Sequence, residues 1–291
     1  MILGVDLGNY GVKTSERVHF LSKISEMDNF TEDNKFIYNN RRLFIGEGEF
    51  STDWNKSRKE NTLPLLFAAI YRSTTDSLNQ VVIGAPIQQY KSCKQELKEL
   101  IENNRCGIIE DKQIIITDIE VAPEGASAYY NIDTDIRREI GNKQLIITDI
   151  GGRTTDISLF INKKIADVKT IPVGMLNIFQ DIIQHINTAY TENFALEDGE
   201  IVLKEGLFLN GKNKDISFIT PILQKYFGSI YKDLQLKFNV NKGYMYLTGG
   251  GSKYLELGFK NRMNNLIISS DPVYDNVIGF KKVGEQLWQE K

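Results

Sequence analysis

Two stretches of the 291-residue chain repeat one pattern: Asp6-Leu7-Gly8-Asn9-Tyr10-Gly11-Val12-Lys13 and Asp149-Ile150-Gly151-Gly152-Arg153-Thr154-Thr155-Asp156. In each, an apolar run ends on an aspartate, a glycine follows two residues later, a polar turn reverses the chain, and a second strand begins. The runs at 2–6 and 145–149 supply the first strands. Duplication of such a unit predicts two related halves of α/β type. A strand–turn–strand opening also departs from the strand-to-helix start of a dinucleotide-binding fold.

The chemistry of the pattern suits a polyphosphate. Glycine-rich turns let backbone N–H groups approach phosphate oxygens, and Asn9, Thr154 and Thr155 add side-chain donors. A strand-end aspartate repels phosphate but can hold the waters around Mg²⁺, an ion that keeps much of its hydration shell. Asp6 and Asp149 are therefore expected to bind the metal through water. Lys13 brings positive charge to the phosphates, and Gly8, Tyr10, Gly11, Gly151 and Gly152 complete two loops that would clamp a triphosphate from opposite sides. A third element is Tyr244-Met245-Tyr246-Leu247-Thr248-Gly249-Gly250-Gly251-Ser252, a strand running into three glycines and then a helix from Ser252. Bare backbone at Gly249, Gly250 and Gly251 accommodates a flat base or ribose, and a helix start offers partial positive charge. Each motif alone reads better as an ordinary glycine turn or loop. The ordered set of three carries the functional reading.

Around these motifs, hydrophobic patterning predicts strands at 12–14, 17–24, 81–83, 114–117 and 266–269, with hairpins at 35–38/43–45, turned by Asn39 and Asn40, and at 157–161/165–171. Residues from about 50 to 62 read as a polar surface stretch. Helices are predicted at 64–71, from Tyr90 through Cys93, Leu97 and Leu100, and briefly at 126–131. The clearest helix aligns Met175, Ile178, Phe179, Ile182, Ile183 and Ile186 on one face. Thr220 and Pro221 read as the N-cap and first residue of another.

Hydrophobic residues make up 41% and charged residues 25%, as in ordinary globular proteins, and the net charge of −3 argues against a general nucleic-acid coat. Cys93 and Cys106 lack metal-ligand spacing, and His19 and His185 are too few for a His-rich metal site, so a reduced, cytoplasmic protein is expected. No apolar run approaches the roughly 18 residues of a membrane helix. No signal-peptide pattern precedes the first strand, and no membrane contact is expected.

The three motifs, in this order, resemble the phosphate-1, phosphate-2 and adenosine motifs of the actin, Hsp70 and sugar-kinase superfamily. Within it the chain looks most like the bacterial plasmid-segregating actin-like proteins of the ParM/StbA type. The supporting residues are Leu3-Gly4-Val5-Asp6-Leu7-Gly8-Asn9 with Lys13, Leu43-Phe44-Ile45-Gly46-Glu47, Val82-Ile83-Gly84-Ala85-Pro86 and Val121-Ala122-Pro123-Glu124-Gly125-Ala126. The resemblance spans most of the chain and is weakest at about 50–75 and 188–240.

It implies an α/β, actin-like ATPase fold of two ribonuclease-H-like domains with a nucleotide cleft between them. Domain I would span 1–143 with a small insert at about 20–75, and domain II 144–270 with a reduced insert at about 188–240. Residues 271–291 would return to domain I. The implied cofactors are ATP, or GTP, with Mg²⁺. Glu124 would orient the attacking water beside Asp6 and Asp149, while Gly174, Asp181 and Gln184 would lie near ribose and base. The implied function is a nucleotide-dependent filament that segregates plasmid or other DNA. Other copies of the chain would be its main partners, and a DNA-binding adaptor would make the contact with DNA. A non-polymerising ATPase and a small-molecule kinase of the same superfamily stand as alternatives.

Overall fold

The computed structural model describes residues 1–27, 34–53 and 55–289. The first half lays down β1 (Ile2–Leu7), β2 (Gly11–Thr14), β3 (His19–Leu21), β4 (Lys23–Ser25), β5 (Lys35–Tyr38), β6 (Arg41–Phe50), α1 (Thr62–Ser73), β7 (Leu78–Ala85), α2 (Tyr90–Glu102), β8 (Cys106–Ile109) and β9 (Lys112–Pro123). Among the described residues these strands form one nine-stranded sheet, ordered β3-β2-β1-β7-β9-β8-β5-β6-β4.

After a 3₁₀ turn at Ala126–Asn131 and α3 (Thr134–Ile140), the second half adds β10 (Leu145–Ile150), β11 (Thr155–Ile161), β12 (Lys164–Ile171), α4 (Met175–Tyr190), α5 (Asp198–Glu205), β13 (Leu207–Leu209), β14 (Lys212–Lys214) and α6 (Ile219–Lys237). It ends with β15 (Tyr244–Thr248), α7 (Ser252–Lys260), β16 (Leu266–Ile268) and α8 (Asp275–Trp288). Its main sheet runs β12-β11-β10-β15-β16, with β13 and β14 as a separate hairpin.

The duplication read in the sequence is a duplication of topology. In the first sheet β1 pairs antiparallel with β2 and parallel with β7, which pairs parallel with β9. In the second, β10 pairs antiparallel with β11 and parallel with β15, which pairs parallel with β16. The central strands are buried on both faces, which is why they read as continuous apolar runs. The registers place Lys13 opposite Asp6 and Asp156 opposite Asp149, so the two halves carry opposite charges at the same position.

Helix α4 buries the six apolar positions predicted for it, each contributing about 1.5–3 kcal/mol relative to exposure. Helix α1 is buried continuously from Pro64 to Ile70, sharing one core with Phe36, Tyr38 and Leu43. Helix α8 crosses back from the second half to pack on β1, β7 and the 3₁₀ turn.

Four sequence expectations change. The strand expected at 17–24 breaks at Ser22, whose amide donates to the carbonyl of Tyr10 at 2.9 Å and so braces the first glycine turn. The helix assigned an N-cap at Thr220 starts at Ile219 with Phe218 before it. The 126–131 helix is a 3₁₀ turn. The stretch at about 50–62 is not simply surface, because Lys56 and Thr62 are buried. Residues 28–33 and 54, within the insert expected at about 20–75, and 290–291, within the expected C-terminal segment, lie outside the described residues.

Candidate functional site

The turns after β1 and β10 meet. A Cβ on Gly152 would lie 2.5 Å from Cβ of Tyr10, so this approach requires glycine. Between the turns and the third glycine loop opens a cavity of about 420 Å³, within the range of small-molecule sites. Asp6, Gly8, Asn9, Tyr10, Gly11 and Lys13 line it from the first hairpin. Asp149, Gly151, Gly152 and Thr154 line it from the second, Gly249, Gly250 and Gly251 from the third loop, and Glu124 from the end of β9.

Several expected residues stand behind this wall rather than in it. Thr155 is buried, and its Oγ1 donates to the carbonyl of Val173 at 2.8 Å. Ser252 is buried, and its Oγ donates to the carbonyl of Gly249 at 2.7 Å. Gly174 precedes α4, whose first amides, Met175 and Leu176, donate to the carbonyls of Gly151 and Gly152 at 3.0 and 2.7 Å. These three residues shape the loops. Asp181 and Gln184 are elsewhere: with His185, Thr188 and Ile222 they line a separate surface depression. Asp181 accepts from Lys225 Nζ at 2.7 Å and Tyr226 Oη at 3.0 Å, tying α4 to α6. The polar side of α4 has two flanks, and these residues occupy the one turned to α6.

The electrostatics concentrate at one end of the cavity. Asp6, Glu124, Asp149 and Asp156 all line it. Burial pushes the Asp149 carboxyl up to about 7, with Lys13 and a hydrogen bond from Asn276 opposing. Burial and the negative charge of Glu124 push Asp156 up to about 8, although Thr170 and Thr154 donate to it. Burial also raises Asp6, but Lys56 and Lys13 outweigh it and hold this carboxyl below its ordinary value. Glu124 is raised, chiefly by burial, with Lys56 opposing and Asp6 adding.

Four residues that were not singled out in the sequence build this end. Lys56 Nζ donates to Glu124 Oε1, to Asp6 Oδ1 at 3.3 Å and to the carbonyl of Gly84 at 3.2 Å. Lys59 Nζ donates to Asn9 Oδ1 at 2.6 Å. Asn276, at the start of α8, donates to Asp149 Oδ2 at 2.6 Å and accepts from the amide of Gly125 at 3.0 Å. Asp156 occupies the register position of Lys13. Glu200, Lys204, Tyr254 and Tyr274 also line the cavity. Tyr10 bridges the halves there, its hydroxyl donating to Glu200 Oε2 at 2.5 Å.

Residues 4–126 match the family described as actin like proteins N terminal domain, and residues 147–261 match the archaeal actin homologue MreB-like C-terminal domain. The chain belongs to the actin-like superfamily. No curated protein matches it. Among solved structures it is similar to the archaeal actin homologue Ta0583 at a TM-score of 0.84 and 19% identity, covering 98% of this chain and 99% of that one. It is equally similar to ParM from a 15-stranded Clostridium botulinum filament, at a TM-score of 0.84 and 20% identity, again covering 98% and 99%. A complex of Ta0583 with ADP aligns at a TM-score of 0.81 and 18% identity, with the same coverage. The actin-like fold is thus shared across the chain. No helix among the described residues is long and apolar enough to cross a membrane.

The third glycine loop of this actin-like protein yields a direct test. Gly249 has φ of +84°, and a Cβ there would fall 2.1 Å from Asp149 Oδ1 and 2.5 Å from the carbonyl of Ile150. Gly249→Ala combines left-handed strain of about 1–2 kcal/mol with overlap against fixed backbone. The expected loss is about 2–3 kcal/mol in urea unfolding; a midpoint equal to wild type would contradict the loop geometry.

Proposed function

We propose that this protein binds a nucleoside triphosphate with Mg²⁺ in the cleft, hydrolyses it to the diphosphate and phosphate, and assembles into filaments whose stability depends on that nucleotide. The observation that carries this is the pair of hairpin-end carboxylates, Asp6 and Asp149, lining one cavity together with Glu124. The donor set fits the metal. Burial raises Asp149 and Glu124, which favours a cation beside them, while Lys56 and Lys13 keep Asp6 ionised. Among the described residues no cluster of three or more acidic, His or Cys groups forms a direct metal cage, which suits an ion held through its own water. Asp6 and Asp149 would hold that hydrated ion, which supplies charge neutralisation along the phosphates.

The protein's own groups do the rest. Lys13 and the backbone of the two turns hold phosphate oxygens. Glu124 accepts a proton from, or orients, the attacking water, and Lys56 fixes the Glu124 carboxylate. Gly249 to Gly251 admit the nucleoside, with Tyr254 and Tyr274 beside it. Because a bound triphosphate would touch both halves, loss of its last phosphate changes their relative angle, and a change of angle alters contacts between subunits. The similarity to a ParM filament protein supports self-assembly, with segregation of plasmid or other DNA as the cellular role. A net charge of −3 favours contact with DNA through an adaptor. A cytoplasmic location follows from that role.

Pelleting and light scattering with ATP, ADP and a non-hydrolysable analogue, alongside phosphate release, test the reading. ATP-dependent pelleting with phosphate release is expected. Protein that stays soluble at every concentration while transferring phosphate to a metabolite would replace it with a kinase. The position of Asp181 and Gln184 away from the cleft gives a second check: Asp181→Ala with Gln184→Ala leaves nucleotide affinity within about twofold and costs up to about 1 kcal/mol of stability. A tenfold loss of affinity in calorimetry would return both residues to the nucleotide site.

A further inference from the structure

The polar segment between β6 and α1 ties together the parts of the site. Arg153, in the second phosphate turn, donates through Nη2 to the carbonyl of Ser51 at 2.9 Å and through Nη1 to that of Thr52 at 3.4 Å. Lys56 reaches Asp6 and Glu124. Lys59 reaches Asn9 in the first phosphate turn. The far side of the segment is pinned to α2, where Asn55 Nδ2 donates to Glu96 Oε2 at 3.1 Å and Arg58 Nε to Glu96 Oε1 at 3.4 Å. Its C-terminal end enters the core at Thr62, whose Oγ1 donates to the carbonyl of Lys56 at 2.5 Å. The segment is therefore a strap across the carboxylate end of the cleft, attached to both turns.

The cations at this end differ in what they hold. Lys13 pairs with Asp6 at 3.6 Å, Lys56 with Asp6 and Glu124, and Arg153 is committed to strap carbonyls. Among the described residues, no carboxylate lies within ion-pair distance of Lys59, which donates only to a neutral amide oxygen. Burial, and then the positive charges of Lys56 and Arg153, pull its ammonium down to about 8, Glu124 and Asp53 opposing. Holding the half-buried Lys59 ammonium on a neutral acceptor beside two other cations costs free energy. An anion bound among Lys59, Lys56 and Arg153 would remove that cost.

We propose that Lys59 is a ligand for the terminal phosphate of the bound triphosphate, and that through it the strap distinguishes triphosphate from diphosphate. The proposal rests on the nucleotide reading above. The terminal phosphate must lie beside Glu124, where water attacks, and Lys59 stands at that end with its ammonium on the phosphate turn. A diphosphate ends one phosphate short, leaving Lys59 on Asn9. With a triphosphate, the ammonium exchanges a neutral acceptor for a doubly charged one, the stronger class of hydrogen bond.

Calorimetric titration of wild type, Lys59→Gln and Lys59→Arg with Mg²⁺ and either ADP or a non-hydrolysable ATP analogue tests this. Glutamine can still donate to Asn9 but carries no charge. Lys59→Gln should lower affinity for the triphosphate analogue roughly tenfold to a hundredfold, while affinity for ADP stays within about twofold. Lys59→Arg should retain most of the discrimination. Equal losses for both nucleotides, or none for the analogue, would overturn the role of Lys59. If wild type bound neither nucleotide, the nucleotide reading itself would fall, and Lys59 with it. Hydrogen exchange supplies a second readout: amides of 55–62 should exchange more slowly with the analogue than with ADP in wild type, and equally in Lys59→Gln. Equal exchange in wild type would refute the strap as the discriminating element.

Discussion

Replacing Glu124 with glutamine is expected to leave ADP affinity nearly unchanged and to slow hydrolysis by roughly 10²- to 10³-fold, the range for losing a positioned proton acceptor. The residue is well fixed for that task. Its amide donates to the carbonyl of Ala85 at 2.9 Å, and Gly125 beyond it turns the chain away with φ of +72°. Lys56 holds Oε1 in place. The raised pKa of the carboxyl, caused first by burial and then by the charge of Asp6, makes it a better acceptor than a solvated glutamate, while Lys56 keeps it from rising further. Glutamine preserves volume and can still accept from Lys56, but cannot take a proton from water. Single-turnover phosphate release, with ADP affinity measured in parallel, separates the outcomes. Unchanged turnover would remove Glu124 from the chemistry, and a parallel collapse of ADP affinity would make it a binding residue instead. Slower hydrolysis should also prolong filaments in light scattering.

The two hairpins could be read locally because each is a contiguous signal: a buried central strand, an aspartate at its end and glycines where the chain turns. What could not be read arrives through tertiary closure. Lys56 and Lys59 lie in a polar run that looks like solvent-exposed loop, and nothing in its composition says that a 4% exposed lysine side chain sits within it. Asn276 depends on α8 returning across the molecule. Helix α8 itself was obscured because Gly279 and Gly284 interrupt its helical pattern. The glycines follow from packing: a Cβ on Gly284 would lie 2.9 Å from Ile2 Cγ2 and 3.0 Å from Val82 Cγ2, so close contact with β1 and β7 overrides local propensity. Asp156 had a usable signal, since it matches Lys13 in the repeat, but its opposite charge hides the equivalence until the strand registers are compared. Asp181 and Gln184 lie apart from the cleft, which the pattern could not show because periodicity separates the polar from the apolar side of α4 without saying which polar flank meets α6.

Lys56→Met should cost about 3–5 kcal/mol at pH 8 in EDTA, and clearly less at pH 5. Burial alone would lower the lysine's pKa, yet attraction to Glu124 and Asp6 outweighs it and raises the ammonium above its ordinary value. The cation is therefore held by the carboxylates, and they by it. Methionine fills similar volume but leaves Asp6 and Glu124 buried without their shared partner. In wild type the Asp6 pKa lies below its ordinary 3.8, so its contribution to stability is present above that value and lost as pH falls through the lower, folded one. In the variant that contribution disappears, and both carboxyls titrate above their unfolded values. Such groups penalise the fold increasingly as pH rises from about 4 toward their folded values, so the gap from wild type widens between pH 5 and 8. Urea midpoints at the two pH values, with metal chelated, measure it. Adding Glu124→Gln to Lys56→Met removes one stranded charge and should restore part of the loss, a non-additive result. A variant as stable as wild type at pH 8, or a double mutant whose deficit equals the sum of the two single losses, would mean that Lys56 does not neutralise this pair.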